Sequence, residues 1–331
     1  MALFAGQLPM IAKSINLIPE APIAAMVDLA AHAEDLGFDR CWVYDEGLAT
    51  RDLYVTLSAI ATATSRMQLG PGITNPYTRH PAQTAAAIAS IDELSGGRGF
   101  FGIGAGGSLT LDPLGIERQR PLTAVRETID ACRELWSGRL VDLDGTHAQL
   151  RSARLGYGRP DIEIWLAGRG PKMLRMGGAQ ADGVMLDFIH QPSIADYTSL
   201  VRSGAQESGR RPRICYSTAI VTSDADFEFV RPHMTYRLVD APQPVKDALG
   251  ISDGAIARIR DALRGGIHAA AEHVHDDWVE PFVIAGSPND CASELADLIE
   301  RHGFEEFLLP IFDMPDPNAY LARIASVLDG L

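Results

Sequence analysis

The sequence predicts an α/β fold, a (β/α)8 TIM barrel with insertions, and three observations predict it. Short apolar, β-branched runs alternate with longer helical patterns, and the alternation occurs eight times. Three of the runs end in glycine- or proline-rich loops, the place where a parallel barrel carries its chemistry. The chain has 331 residues, 46% of them hydrophobic, which is enough for the core of one large barrel. Eight strand–helix units favour closure into a barrel, and an open doubly wound sheet is the alternative that counting alone leaves.

The first strand is read over 15–18, and the helical pattern of 21–36 follows it and stops at Gly37. A strand at 41–44 leads to a helix at 53–64, and a strand at 67–73 to a helix at 82–94. The fourth pair is 99–103 and about 122–136. Residues 140–150, turning at Asp144-Gly145, read as a hairpin inserted before the fifth strand. The remaining strands are 162–167, 183–186, 213–221 and 306–312, with a last helix over 318–331. The stretch around 223–280 is mainly helical, irregular and rich in His and Asp, an insertion in what is read as a single domain over 1–331.

Composition excludes several function classes. A net charge of −14 and the absence of any Lys/Arg run leave no basic face for nucleic acid. No apolar stretch is long enough to span a membrane, and Met1 to Ile11 lacks the basic start and cleavage pattern of a signal peptide. A cytoplasmic location is therefore expected. Cys41, Cys132, Cys215 and Cys291 form no CxxC pair and read as small buried hydrophobes. His268, His273 and His275 match no zinc spacing and read as a solvated helix face, so no metal is expected.

Three strand-end segments carry chemistry. In the first, Gly72, Ile73, Thr74 and Asn75 precede Pro76 and the His80-Pro81 pair. Glycine and proline together describe a chain forced through unusual geometry, although an ordinary βα loop has similar composition. In the second, Gly104, Ala105, Gly106, Gly107 and Ser108 form a glycine-rich turn whose N–H groups suit phosphate or carboxylate oxygens. It is neither a Walker loop nor a dinucleotide fingerprint, for no GK[ST] follows and no helix is expected to open at once. In the third, Ala167, Gly168, Arg169, Gly170, Pro171 and Lys172 bring a guanidinium, one of only three lysines and a helix start into one loop. That is an anion seat, or else a solvated pair of cations beside a cap.

Together, residues 72–81, 109–116 and 168–184 resemble the luciferase-like monooxygenase superfamily, most closely its F420-dependent methylenetetrahydromethanopterin reductases and their bacterial relatives. The resemblance spans roughly 12–331 and is weakest over 187–280. It implies a non-prolyl cis peptide between Gly72 and Ile73, whose bulge backs a deazaflavin ring. It implies that Thr74 and Asn75 lie beside the ring, and that the 104–108 turn and the 168–172 loop hold the cofactor's tail from two sides. The implied cofactor is coenzyme F420, with FMN as the alternative. A homodimer paired through the helices after the second and third strands is implied as well. Members that oxidise alcohols or sugar phosphates carry Asp-His after the second strand; here the pair is Asp45-Glu46. The sugar-phosphate members also carry a Glu where this chain has Gly107.

The expected reaction is hydride transfer between C5 of F420 and an electron-poor carbon (C=N, C=C or C=O) of a small organic substrate. Glu46 and Asp45 are the acid/base candidates, since adjacent acids in a closed pocket raise a pKa. On an extended chain only one of the two would face the pocket, and either could instead cap the next helix or pair with Arg51. Asp187 and His190, after the sixth strand, are weaker candidates. The rival functions are an FMN-dependent monooxygenase and a non-catalytic cofactor-binding barrel.

Overall fold

The computed structural model describes residues 11–331; Met1–Met10, on which most of the signal-peptide reading rests, lies outside the described residues. Eight parallel strands form the barrel: β1 Ala12–Leu17, β2 Arg40–Val43, β3 Gln68–Pro71, β4 Phe100–Ile103, β5 Glu163–Ala167, β6 Gly183–Asp187, β7 Arg213–Ser217 and β8 Glu306–Ile311. They pair in the order β3-β2-β1-β8-β7-β6-β5-β4. Parallel bridges from Leu69 to Gly99 and from Thr74 to Ile103 join β3 to β4 and close the ring. Closure leaves no strand edge to be guarded.

The packing follows from the alternation of each strand. Outward residues such as Ile15, Leu69, Phe101 and Ile164 meet the helices in the main apolar cluster. Inward, Trp42, Phe100, Trp165, Met185, Cys215 and Leu308 fill the barrel. Below them the interior is ionic. Arg40 lies over the rings of Phe100 and Trp165, 4.9 and 4.7 Å from their centroids, and pairs with Glu163 at 3.2 Å. The Glu306 carboxylate accepts from Ser14 Oγ at 2.6 Å and Trp42 Nε1 at 3.0 Å. Buried charges persist only when paired in this way.

The strand-to-helix loops at the other end are shaped by close backbone approaches. A Cβ at Gly102 would stand 2.1 Å from the Pro71 carbonyl oxygen, so β3 and β4 can meet at this level only with glycine there. Gly102→Ala is expected to lower stability by about 1–3 kcal/mol, the usual range for overpacking, measured as a shifted urea midpoint with unchanged slope.

Two expectations shift. The run 213–221 is not one strand: β7 ends at Ser217, and Ile220–Val221 pairs with Ile284–Ala285 in a separate parallel pair. Thr218, whose hydroxyl donates to the Phe282 carbonyl, marks the departure from the barrel. The hairpin also runs further than 150, because Val141–Asp144 pairs with Gln149–Ala153. The helical stretch begins with the helix Asp224–Val239, here α7 after six earlier barrel helices. These six are α1 Ile23–Asp35, α2 Leu53–Ala63, α3 Pro81–Leu94, α4 Pro121–Trp136, α5 Pro171–Gln180 and α6 Ile194–Ser208. Four shorter α-helices follow α7, the last of them ending at Val279. A second apolar cluster, including Val230, Met234 and Leu238 of α7, packs this layer against Ile18, Tyr44, Phe188 and Phe312 at the barrel mouth. All four cysteines are buried and unpaired. His268, His273 and His275 are exposed. No helix among the described residues is long and apolar enough to cross a membrane.

Candidate active site

A cavity of about 850 Å³ opens at the C-terminal ends of the strands, roofed by α7. This is the end where barrel loops converge, and the volume suits a cofactor-sized ligand. Its floor is the turn after β3. The peptide between Gly72 and Ile73 is cis. The Gly72 carbonyl oxygen accepts from Asn16 Nδ2 at 2.9 Å, and a Cβ at Gly72 would lie 2.5 Å from the Asn16 Oδ1 and 2.6 Å from Trp42 Cβ. Ile73 therefore projects over the packed barrel interior, with Ala167 and Met185 beside it on the floor.

Of the sequence-predicted residues, Asp45, Glu46, Gly72, Ile73, Thr74, Asn75, Ala105, Gly106, Gly107, Ala167, Gly168, Arg169, Gly170, Pro171 and Lys172 all line this one cavity. Gly104 does not: it is buried behind Ile73, where a Cβ would lie 2.1 Å from Ile73 Cδ1. Ser108 lies outside the lining, and its hydroxyl donates to Asp240 Oδ2 at 3.3 Å. A short helix does open at once after the glycines, over Ser108–Leu111 with Gly107 at its N-cap. Asn75 is mostly committed to its own turn, since its Oδ1 accepts from the N–H groups of Tyr77 and Thr78 at 2.9 and 3.1 Å.

The two acids have separate partners. Asp45 Oδ2 accepts from Thr74 Oγ1 at 2.6 Å, and burial pushes its carboxyl up. Glu46 Oε2 accepts from Thr110 Oγ1 at 2.8 Å. Burial pushes the Glu46 carboxyl up to about 7, against the Thr110 hydrogen bond and the Arg237 guanidinium, with Asp45 and Asp187 adding to the rise. Both acids face the cavity, contrary to the extended-chain expectation, because the backbone leaves the extended region at Glu46 (φ −102°, ψ 31°) to enter the short helix Gly47–Ala49. Neither caps α2; Asp52 does, accepting from the N–H groups of Tyr54 and Val55.

Opposite charge gathers at the loop after β5. Gly170 is the N-cap of α5 and offers no side-chain cap, so the first N–H groups of that helix face the cavity end unpaired by it. Arg169, Lys172 and Arg118 share the lining there, and Arg118 Nη1 donates to the Gly106 carbonyl at 2.9 Å.

The sequence profile of the luciferase-like monooxygenase family matches residues 5–306. The chain belongs to that family. It is similar to the 5,10-methylenetetrahydromethanopterin reductases of Methanolobus tindarius, at 33% identity over 86% of this chain and 90% of the relative, and of Archaeoglobus fulgidus, at 31% over 86% and 89%. The coenzyme F420-dependent tetrahydromethanopterin reductase structure from Methanopyrus kandleri superposes with a TM-score of 0.85 at 27% identity, over 96% of this chain and 98% of that one. This luciferase-like protein is an oxidoreductase grouped with the family's F420-dependent members.

What the sequence did not disclose in this luciferase-like site is the contribution of α7. Arg237 is 3% exposed and pairs with Asp187 at 3.2 Å. It also donates to the His233 carbonyl at 2.7 Å, to the Tyr236 hydroxyl at 2.6 Å and to the Tyr44 hydroxyl at 3.3 Å. Tyr44, Asp187, Tyr236, Arg237 and Asp240 all line the cavity. His190 does not; its Nδ1 lies 3.0 Å from Ser193 Oγ and its ring packs near Phe282. A signal existed for Asp187, at the end of β6, but none for Arg237, whose helix periodicity marks only a buried face.

Proposed function

We propose that this oxidoreductase binds coenzyme F420 and transfers a hydride between the deazaflavin C5 and an electron-poor carbon of a small organic substrate. The observation that carries the reading is that the apolar floor at Ile73, the uncapped start of α5 with its cations, and the Glu46 carboxyl open into one cavity. A planar apolar ring fits the floor of Gly72, Ile73, Ala167 and Met185, and an anionic tail fits Gly168 to Lys172 and Arg118. The similarity to F420-dependent reductases supports the same choice.

F420, when bound, supplies a two-electron hydride donor or acceptor at C5. The chain's own residues do the rest. Ile73 would support the face of such a ring, and Tyr236 and Arg237 of α7 line the same cavity. Glu46 handles the proton: in reduction its acid form gives a proton to the substrate heteroatom as the neighbouring carbon gains the hydride, and in oxidation its carboxylate takes that proton back. A carboxyl near 7 serves both directions at neutral pH. Asp45, tied to Thr74 beneath the ring site, holds the floor rather than the proton.

The test is a fluorescence titration of the protein with F420 and, separately, with FMN. Saturable F420 quenching at micromolar concentrations, with no FMN binding in that range, is the expected result. FMN bound more tightly, with oxygen-dependent turnover, would replace the reading by a flavin monooxygenase. Binding of neither would leave a barrel without a redox role.

A further inference from the structure

Arg237 spends its outer nitrogens in a way that leaves one proton over. A guanidinium carries only donors, so where Arg237 Nη1 meets the Tyr236 hydroxyl at 2.6 Å the tyrosine oxygen must accept. The phenolic proton is then unspent, and among the described residues it has no acceptor. Tyr236 itself is half-buried and lines the cavity that holds Glu46 and Ile73. The guanidinium cannot swing away to release it. Asp187, the His233 carbonyl and the Tyr44 hydroxyl hold it on other sides, and its plane sits 4.3 Å from the Phe188 centroid.

We propose that the Tyr236 hydroxyl, fixed by Arg237, is a further catalytic residue that donates a hydrogen bond to a lone pair on the substrate heteroatom bonded to, or conjugated with, the carbon exchanging hydride. The proposal rests on the hydride-transfer reading and narrows it: the substrate is a carbonyl, a conjugated enone or an imine, and an isolated alkene is excluded because it offers no lone pair. An O–H whose oxygen already accepts from a cation is polarised into a better donor. A proton with no acceptor in the protein is free to meet a substrate lone pair, so a substrate that accepts from it is selected over one that cannot. Burial pushes the Tyr236 hydroxyl up, well above its ordinary range, which keeps the proton in place at neutral pH. Tyr236 and Glu46 thus divide the work. The phenol keeps its proton and withdraws electron density from the acceptor carbon, while the carboxyl exchanges its proton with the product. Tyr44, the other phenol on Arg237, is more deeply buried and takes the longer contact of 3.3 Å.

The probe is 2-cyclohexen-1-one labelled with carbon-13 at the carbonyl, bound to the full chain and read by difference infrared spectroscopy, with and without F420. In the native protein the carbonyl band is expected at lower frequency than in hexane, and Tyr236→Phe is expected to move it back toward the hexane value. Turnover of the enone with reduced F420 should fall about 10²-fold in kcat, the scale for losing one preorganised donor, with F420 affinity unchanged. Should the phenylalanine variant fold poorly, 3,5-difluorotyrosine at position 236 keeps the shape and strengthens the donor, and the band should move lower still. Identical bands in native and variant proteins, or no bound band at all, would overturn the proposal. If the band shifts while F420 fails to bind, the hydrogen bond stands and the cofactor reading falls.

Discussion

Glu46→Gln is expected to lower kcat for hydride transfer by about 10²- to 10⁴-fold, the range for removing a general acid or base, while leaving F420 affinity unchanged. The amide preserves shape and still meets the Thr110 hydroxyl, which donates to the Glu46 carboxylate at 2.8 Å, but it has no proton to exchange. The pH dependence supplies the sharper test. Because burial holds the Glu46 carboxyl up at about 7, the acid form dominates below that value and the carboxylate above it. The reductive reaction needs the acid, so its rate should be level below about 7 and fall tenfold per pH unit above. The oxidative reaction needs the carboxylate and should show the mirror image. Thr110→Val removes a hydrogen bond that favours the charged form, so the inflection should move upward in both directions. A Glu46→Gln profile that retains the native inflection would assign the proton to another group.

Much of this architecture was legible because its signals are local. Most barrel strands show as a run such as Cys41-Trp42-Val43 or Ile164-Trp165-Leu166, where burial on both faces favours apolar residues. The cavity floor was legible for a related reason. Gly72, Gly102 and Gly104 stand where a Cβ would strike a neighbouring strand or loop, and that demand leaves a mark in composition. What escaped was whatever depends on two distant segments meeting. The end of β7 was overrun because Ile220–Val221 has the composition of a strand and is one, though paired outside the barrel with Ile284–Ala285. Strand periodicity places Asp45 and Glu46 on opposite faces, a rule that lapses where the chain turns at Glu46. Arg237 lies 50 residues from Asp187, and no pattern within α7 distinguishes an arginine that enters a cavity from one that faces solvent.

Asp187→Leu should therefore be among the most damaging changes in the protein, with a loss of about 3–5 kcal/mol in urea denaturation, as expected for removing one partner of a buried ion pair. Asp187 Oδ2 accepts from Arg237 at 3.2 Å and its Oδ1 accepts from Ser217 Oγ at 2.8 Å. Without the carboxylate, a guanidinium only 3% exposed keeps two phenols and one carbonyl as partners but no counter-charge in hydrogen-bond contact. Arg237→Leu added to Asp187→Leu removes the stranded charge, so the double variant should be more stable than the Asp187 single variant, a non-additivity diagnostic of direct coupling. The second apolar cluster, with Val230, Met234 and Leu238, still holds α7 on the barrel in both proteins. The fold of the double variant should consequently survive, while its Tyr236 hydroxyl loses its anchor and enone turnover stays low. Recovery of stability without recovery of rate would separate what the ion pair does for the fold from what it does for the reaction. Recovery of both would mean that Arg237 positions nothing in the cavity, and simple additivity of the two losses would mean that the pair is not energetically coupled.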